Sequence, residues 1–206
     1  MRVSKLVKLY RWVYWRSWAE ILNYILHVQL YLNGVTRGKG VRTMNSLPKV
    51  FKDDESSIYI GYHVIFNNYT NTSCFCRCSL ISRNGGKLII GDNTGLNGCE
   101  IVCEKSVNIG CHVMIGGGSK IFDTDFHPID WRMRRDPVQC SNGNTADVVI
   151  EDDVFIGTNC IIEKGVTIGK RSIIAAGSVV THSIPPDVIA GGVPCKVIRH
   201  INNEQS

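Results

Sequence analysis

The sequence predicts an all-β fold, in which a parallel β-helix follows an N-terminal α-helical segment and is interrupted by one protruding loop. Two observations indicate this fold. A branched aliphatic residue returns at every sixth position over long stretches, and this period stops once, in a polar segment past the middle of the chain. The length of 206 residues, with 44% apolar and 20% charged residues, suits one sizeable domain with a short appendage and excludes a disordered or collagen-like chain.

The N-terminal segment, residues 1–40, differs in character from the rest of the chain. Its tryptophans alternate with Leu, Ile and Val and are accompanied by basic residues, which is typical of an amphipathic helix. The stretch from Ser17 to Leu32 is too short and too polar to span a bilayer, and the glycines from Gly34 to Gly40 predict a linker. Two interpretations stay open: contact of residues 1–32 with a membrane surface, or packing of the helix against the main domain or a neighbouring subunit.

The main domain, predicted over residues 41–200, carries the six-residue period most clearly after residue 150. Six branched aliphatic residues follow one another at this spacing, and a chance run of that length has a probability on the order of 10⁻⁴. An earlier copy of the pattern, with one slip, precedes it. The repeating residues are Ile60, Phe66, Ile90, Leu96, Val102, Ile109, Ile115, Ile121, Ile150, Ile156, Ile162, Ile168, Ile174 and Val180.

A period of six residues fits neither an α-helix nor a simple alternating strand, whereas a short strand and a corner, repeated, produce a solenoid. One coil cannot bury its own apolar face. The coils must therefore stack, about 4.8 Å apart, and share a ladder of aliphatic side chains. Gly and Asn are expected at the corners, because left-handed backbone angles cost them least.

The period stops in a predicted loop of about residues 123–147, which carries polar and aromatic side chains that a coil does not need. Loops that leave a rigid solenoid are frequent positions for functional residues. The repeat ends for good after Pro185 and Pro186. The basic segment that follows is predicted to cap the last coil, and residues 201–206 are assigned to a tail.

Charge and cysteine content restrict the partners and the compartment. The net charge of +5 favours anionic partners only weakly, and a phosphate-bearing cofactor accounts for it without nucleic acid. Nine cysteines without an evident secretion signal indicate reduced thiols in a cytoplasmic protein. Cys74, Cys76 and Cys78 could form a soft-metal site, but alternate residues of a strand share one face. A row of small core residues is the simpler interpretation, and no metal is expected.

Five segments of the repeat region form a recognisable set: Ile90-Gly-Asp-Asn-Thr-Gly-Leu-Asn97, Ile121-Phe-Asp-Thr-Asp-Phe-His127-Pro, Phe155-Ile-Gly-Thr158, Ala175-Ala-Gly-Ser-Val-Val-Thr181 and Ala190-Gly-Gly-Val-Pro-Cys-Lys-Val-Ile-Arg199. Over about residues 58–200 the chain resembles the hexapeptide-repeat acyltransferases. Within that family it is similar to the maltose and galactoside O-acetyltransferase-like group and to its bacterial surface-polysaccharide O-acetyltransferase relatives. The histidine loop followed by the closing Gly-Val-Pro segment is the most specific feature.

The resemblance implies a left-handed β-helix, a homotrimer with active sites between adjacent subunits, and acetyl-CoA as the acetyl donor. It implies that His127 is the catalytic histidine and that Asn97 lines the acceptor and thioester site. The implied cofactor contacts are Thr158, Ala176 and Thr181 for the pantetheine arm, His182 where the family commonly has lysine, and Lys196 and Arg199 for the nucleotide phosphates.

The chemistry explains why a histidine is needed. A sugar hydroxyl is a poor nucleophile until its proton is leaving, and histidine titrates near neutrality, so His127 is expected to act as the general base. A backbone amide or the Asn97 side chain would stabilise the developing negative charge. Asp123, Asp125 or a backbone carbonyl could accept the other imidazole proton, and the sequence leaves these three choices open.

The residues and the resemblance together predict an acetyl-CoA-dependent O-acetyltransferase that acts on a sugar hydroxyl in the synthesis or decoration of a bacterial surface polysaccharide. The expected location is the cytoplasm, at the inner face of the membrane if the helix binds there. Two alternatives stay open: the same fold and donor with an amine, serine or antibiotic acceptor, or a structural or metal-binding β-helix without transferase activity. His112 and His127 alone do not supply an obvious set of three histidines for a metal.

Overall fold

The computed structural model of the chain describes residues 5–68 and 77–201, and within the N-terminal helix it describes side chains from Arg16 onward. The described elements, in chain order, are α1 (Lys5–Leu32), β1 (Thr36–Arg37), β2 (Arg42–Met44), β3 (Lys49–Lys52), β4 (Ser57–Ile60), β5 (Ile65–Asn67), β6 (Ser79–Ser82), β7 (Lys87–Ile90), β8 (Gly95–Asn97), β9 (Glu100–Cys103), β10 (Ser106–Ile109), β11 (Met114–Ile115), β12 (Lys120–Phe122), α2 (Trp131–Arg135), β13 (Val148–Ile150), β14 (Phe155–Ile156), β15 (Ile161–Ile162), β16 (Thr167–Ile168), β17 (Ile173–Ile174), β18 (Val179–Val180), β19 (Val188–Gly191) and β20 (Lys196–His200).

The strands form three sheets, and successive strands pass from one sheet to the next. The first sheet has the order β1-β4-β7-β10-β13-β16, the second β2-β5-β8-β11-β14-β17-β19-β20, and the third β3-β6-β9-β12-β15-β18. Neighbouring strands are parallel, except that β20 turns back antiparallel to β19. The chain therefore winds around a three-sided prism, which confirms the predicted parallel β-helix.

The interior of the prism is filled by the aliphatic residues that the period predicts. All of them are at most 1% exposed apart from Val102. Val102 is also buried, but its neighbour Ile101 pairs in register with Ile121 and takes the ladder position in the third sheet. The reason is a shorter corner: only residues 98–99 separate β8 from β9, whereas residues 157–160 separate β14 from β15.

The corners use left-handed backbone angles, as expected. Asn93 and Asn159 have φ values of 57° and 55°, and His63 and His112 take the same conformation at 57° and 56°. Asn tolerates this conformation because its short polar side chain can bond locally. These two histidines are therefore corner residues of the solenoid.

Helix α1 covers the first coil. Leu22, Leu26 and Leu30 are spaced four residues apart and are buried against the prism. Strand β1 lies within the segment predicted as a linker, since Thr36–Arg37 already pairs with β4. No helix of the described residues combines the length and the apolarity that crossing a bilayer requires.

The loop leaves the prism between β12 and β13, where the repeat stops, and contains the short helix α2. An antiparallel bridge between Thr124 and Thr145 closes its base. At the other end of the solenoid, the Cys195 N–H donates to the carbonyl of Val179 at 2.8 Å. The segment after β19 thus packs on the last coil.

Candidate active site

The predicted site residues lie along two edges of the prism. On the edge where the chain turns from the second sheet to the third, Asn97 ends β8, Thr158 follows β14 and Ala176 follows β17. On the edge where it turns from the third sheet to the first, the His127 loop follows β12, and Thr181 follows β18. One face of the prism, roughly 15–20 Å wide, separates these edges. Asn97 and the base of the His127 loop therefore lie on different edges of one chain.

The His127 ring is oriented by a backbone carbonyl. Its Nδ1 lies 2.5 Å from the carbonyl oxygen of Cys140, and its backbone N–H donates to the carbonyl of Asp125 at 2.7 Å. Because a carbonyl can only accept, Nδ1 must carry the proton, and the lone pair then resides on Nε2. The side chain is exposed. The ring can thus accept a proton from a molecule in solution.

The two nearby carboxylates have other partners. Asp123 is buried, and its carboxylate accepts the backbone N–H groups of Glu104, Lys105 and Ser106, each at 2.8 Å. Asp125 forms an ion pair with Lys164 at 3.2 Å. Of the three choices that the sequence left open, the structure selects the backbone carbonyl.

The returning limb of the loop supports the histidine backbone, a feature that the six-residue period does not predict. A Cβ added at Gly143 would lie 2.6 Å from the backbone nitrogen of Phe126 and 2.8 Å from that of His127. The carbonyl of Asn144 accepts the N–H of Asp125 at 2.9 Å. Only glycine allows this close approach. In the sequence, the run Asn142-Gly143-Asn144 is the feature that could have indicated this close approach.

Asn97 belongs to an asparagine pair on the opposite edge. Its Oδ1 accepts from Asn67 Nδ2 at 2.8 Å, and its Nδ2 donates to the carbonyl of Ile115 at 2.9 Å. Since an amide nitrogen carries two hydrogens, one N–H of Asn97 remains for a ligand. The side chain is half-buried, so its direction is set by these contacts.

The predicted cofactor residues form a column of exposed corners on the same edge. The N–H of Gly177 donates to the carbonyl of Thr158 at 2.8 Å, so this corner stacks directly on the next, where Ala176 lies. Both side chains are small and exposed. Further along, Lys196 pairs with Gly191 at the end of the second sheet. An extended ligand could lie along this column without meeting a bulky side chain.

The remaining predicted cofactor residues are separated from this column. Arg199 is exposed and pairs with Ile189, further across the second sheet than Lys196. Thr181 and His182 lie on the His127 edge, where the Thr181 hydroxyl is 2.8 Å from Nδ1 of His182.

A recess that the sequence did not predict lies beside the loop on the His127 edge. It has a volume of about 530 Å³ and is lined by polar groups from the loop and from two earlier corners. Arg83 Nη2 is 2.6 Å from the carboxylate of buried Glu104, which also accepts the Thr124 hydroxyl. The lining residues are Arg83, Asn84, Glu104, Ser141, Asn142, Gly143 and Thr145.

Within the described ranges, no group of three or more His, Cys, Asp or Glu side chains could hold a metal ion. Cys74 and Cys76 lie outside the described residues. Cys78 is buried, as expected of a core residue, and its thiol contacts the carbonyl of Leu96 at 3.3 Å. The hydrogen bond with Cys78, together with burial, raises the pKa of the Cys99 thiol well above its usual range.

The sequence is similar to proteins of known activity. The profile of the hexapeptide repeat of succinyl-transferase matches residues 147–182. Galactoside O-acetyltransferase of Escherichia coli K12 is 40% identical over 120 residues, which are 58% of this chain and 57% of that protein. Galactoside O-acetyltransferase of Lactococcus lactis IL1403 is 37% identical over 133 residues, 64% of this chain and 62% of that protein. The chain thus spans about three-fifths of the length of these curated relatives.

The fold is similar to that of solved acetyltransferases. A hexapeptide-repeat-containing acetyltransferase of Vibrio cholerae O1 biovar eltor, complexed with acetyl coenzyme A, is 27% identical, with a TM-score of 0.55, and the match covers 91% of this chain and 87% of that one. Another structure of the Vibrio cholerae protein gives 26% identity and a TM-score of 0.57, with 91% of each chain covered. Together with the three parallel sheets, this similarity shows that the β-helix is left-handed, the hand that the sequence resemblance implied.

Proposed function

Because its repeat, its fold and its curated relatives are similar to those of the hexapeptide-repeat acyltransferases, we propose that the chain belongs to this family and transfers an acetyl group from acetyl-CoA to a hydroxyl of a carbohydrate. The observation that carries the proposal is the orientation of His127, whose Nδ1 is held by the Cys140 carbonyl so that Nε2 is left to act as the base. The curated relatives named galactoside O-acetyltransferase support transfer of an acetyl group to a carbohydrate acceptor, and the Vibrio cholerae structure complexed with acetyl coenzyme A supports the donor.

In the proposed reaction, Nε2 of His127 takes the proton of the acceptor hydroxyl as its oxygen bonds to the acetyl carbon. The free N–H of Asn97 donates to the carbonyl oxygen, on which negative charge develops. The bond between the acetyl carbon and sulfur then breaks, and the imidazolium returns its proton to the leaving sulfur. No covalent bond to the protein is needed.

The column of exposed corners is proposed to bind the donor. Thr158 and Ala176 leave room for a narrow pantetheine arm. Thr181 and His182 lie on the His127 edge and would contact this arm only across the groove between two subunits. Lys196 would bind the anionic phosphates at the end of the column, and Arg199, further across the second sheet on β20, would add positive charge near this end.

A homotrimer would complete the site. The base and the Asn97 N–H lie on different edges of one prism, so an intact site needs the His127 edge of one subunit beside the Asn97 edge of the next. Such a groove would hold the thioester between two protomers. This arrangement is the one that the family resemblance implies, and the division of the residues supports it.

The polar recess beside the loop is proposed to receive the acceptor. A guanidinium, amides and hydroxyls are suited to binding a polyhydroxylated molecule. We propose that this acceptor belongs to the synthesis of a bacterial surface polysaccharide, and that the protein works in the cytoplasm at the inner face of the membrane.

Thiol release from acetyl-CoA tests the proposed function. The full chain should release free coenzyme A thiol only when a carbohydrate hydroxyl is supplied, and a panel of sugars, sugar nucleotides and lipid-linked glycans would identify the class. Reactions without acceptor measure background hydrolysis. Turnover confined to amine, serine or antibiotic acceptors would contradict the carbohydrate assignment, and no turnover with any acceptor would contradict acetyl transfer.

A further inference from the structure

Helix α1 has a second apolar face, which points away from the prism. Large apolar side chains recur at helical spacing on this outer face and are between 40% and 75% exposed. The face extends over about 20 Å of helix. An exposed apolar surface of this size on one helix calls for a partner. The outer face consists of Trp18, Ile21, Tyr24, Ile25, Val28, Tyr31 and Leu32.

The orientation of the outer face is fixed by contacts on the opposite side of the helix. Leu26 and Leu30 are fully buried in the core of the first coil. Asn23 Oδ1 accepts the backbone N–H of Thr43 at 2.7 Å, and Gln29 Nε2 donates to the carbonyl of Pro48 at 3.0 Å. The helix therefore cannot turn its exposed side inward without losing these contacts.

Charge is distributed very unevenly along the chain. Residues 1–52 contain ten Lys and Arg and one acidic residue, Glu20, whereas residues 53–206 contain thirteen Lys and Arg and seventeen Asp and Glu. Lys39, Arg42 and Lys49 are exposed on the first coil, beside the helix. The segment that contains α1 and the first strands thus carries a net charge of +9, whereas residues 53–206, which begin with the acidic corner Asp53-Asp54-Glu55, carry −4.

We propose that the outer face of α1 docks on an anionic lipid bilayer, with the helix lying in the plane of the membrane surface. The aromatic side chains Trp18, Tyr24 and Tyr31 combine an apolar ring with a polar tip, which suits the interface between lipid headgroups and acyl chains. The basic residues around them are attracted to anionic headgroups.

The same charge argues against pairing of this face with the outer face of a second copy. Pairing the outer faces of two chains would bring two cationic segments together, and like charges repel. An anionic bilayer would bury the outer face and would also attract the basic residues of this segment. Docking of α1 on lipid would place the protein at the membrane surface, the location proposed above. Lipid binding is measured without acetyl-CoA or an acceptor, so its result is independent of the proposed transferase activity.

Co-sedimentation with vesicles tests the proposal. The purified full chain should bind vesicles of phosphatidylcholine mixed with phosphatidylglycerol at least about tenfold more tightly than vesicles of phosphatidylcholine alone, and added salt should weaken the binding. The triple variant Trp18→Ser, Tyr24→Ser, Tyr31→Ser should lose about tenfold or more of this affinity. A matched control removes exposed apolar residues of the loop instead, Ile129→Ser, Trp131→Ser and Val138→Ser, and should bind as the wild type does.

Three results would overturn the inference: equal binding to both kinds of vesicle, no binding, or unchanged binding of the triple variant. A wild-type assembly that the triple variant dissociates in the absence of lipid would show instead that the face is a protein interface. Circular dichroism checks the fold of each variant. If the triple variant does not fold, Tyr24→Ser and Tyr31→Ser alone carry the test, because these side chains are 72% and 75% exposed.

Discussion

At the scale of single residues, the contact between His127 and the Cys140 carbonyl determines the chemistry that the ring can perform. The carbonyl holds the proton on Nδ1 and leaves Nε2 as a base. The sequence predicted the histidine from its loop and from the family resemblance, but it left three partners for the ring open. Cys140 is thirteen residues further along the chain, and its carbonyl, like every backbone carbonyl, has no signature in the sequence.

Replacement of the base tests its role. His127→Ala should lower the rate of acetyl transfer by roughly 10²–10⁴-fold, because the hydroxyl loses its proton acceptor. The measurement is thiol release at saturating acetyl-CoA. His112→Asn is a suitable control, since this histidine has a φ of 56° at a corner that Asn also tolerates, and its activity should stay near that of the wild type. Near-normal turnover of His127→Ala would remove this residue from the mechanism.

The two loop carboxylates should differ in their effect on stability. Asp123→Asn places an amide among three backbone N–H donors in a buried position, and should lower the free energy of unfolding by about 2–4 kcal/mol. Asp125→Asn removes an ion pair whose side chains are each 30% exposed, and should cost less than about 1 kcal/mol. Urea unfolding measures both values. Equal effects would contradict the structural role assigned to Asp123.

At the scale of elements, α1 is attached to the solenoid by polar contacts as well as by leucines. Arg37 Nε donates to Nδ1 of His27 at 2.8 Å, which joins the helix to β1. Burial, and then the charge of Arg37, lowers the pKa of His27. The contact requires a neutral imidazole, because a protonated ring has no acceptor for the guanidinium.

The docking of α1 should therefore weaken at acidic pH. Since the pKa of His27 is lower in the folded state, its contribution to stability is present above the unfolded value, about 6.5, and is lost as the pH falls through the folded value. Hydrogen exchange of the α1 amides, compared between neutral pH and about pH 5, should show this loss of protection. His27→Gln, whose amide oxygen can still accept from Arg37, should reduce the difference, whereas His200→Gln on exposed β20 should not. An identical pH response in all three proteins would contradict the assignment.

At the scale of the whole molecule, the position of His127 and Asn97 on different edges of the prism predicts an active site that two subunits share. His127 and Asn97 lie on opposite edges of one face, so a trimer should give a mass about three times the 22.9 kDa of the chain. Light scattering measures it. A monomer that transfers acetyl groups would contradict the shared site.

Mixed assemblies test the division of the site more directly. His127→Ala and Asn97→Ala chains should each be impaired, but their random mixture should recover about a quarter of the wild-type activity, because some interfaces then combine an intact base with an intact asparagine. Mixing each variant with itself is the control. Sites contained within one chain would give no recovery.

Local periodicity was sufficient to predict the coils, the buried ladder, the corners and the interrupting loop, because each coil repeats the same alternation of short strands and turns. It misplaced Val102 where a shorter corner shifted the register to Ile101. The family resemblance supplied the hand and the candidate site residues. Only the folded chain decided that Asp123 stabilises a corner, that the Cys140 carbonyl orients His127, that a polar recess opens beside the loop and that α1 exposes a second apolar face. These features depend on contacts between residues far apart in the chain, and a repeat of six residues carries no information about such contacts.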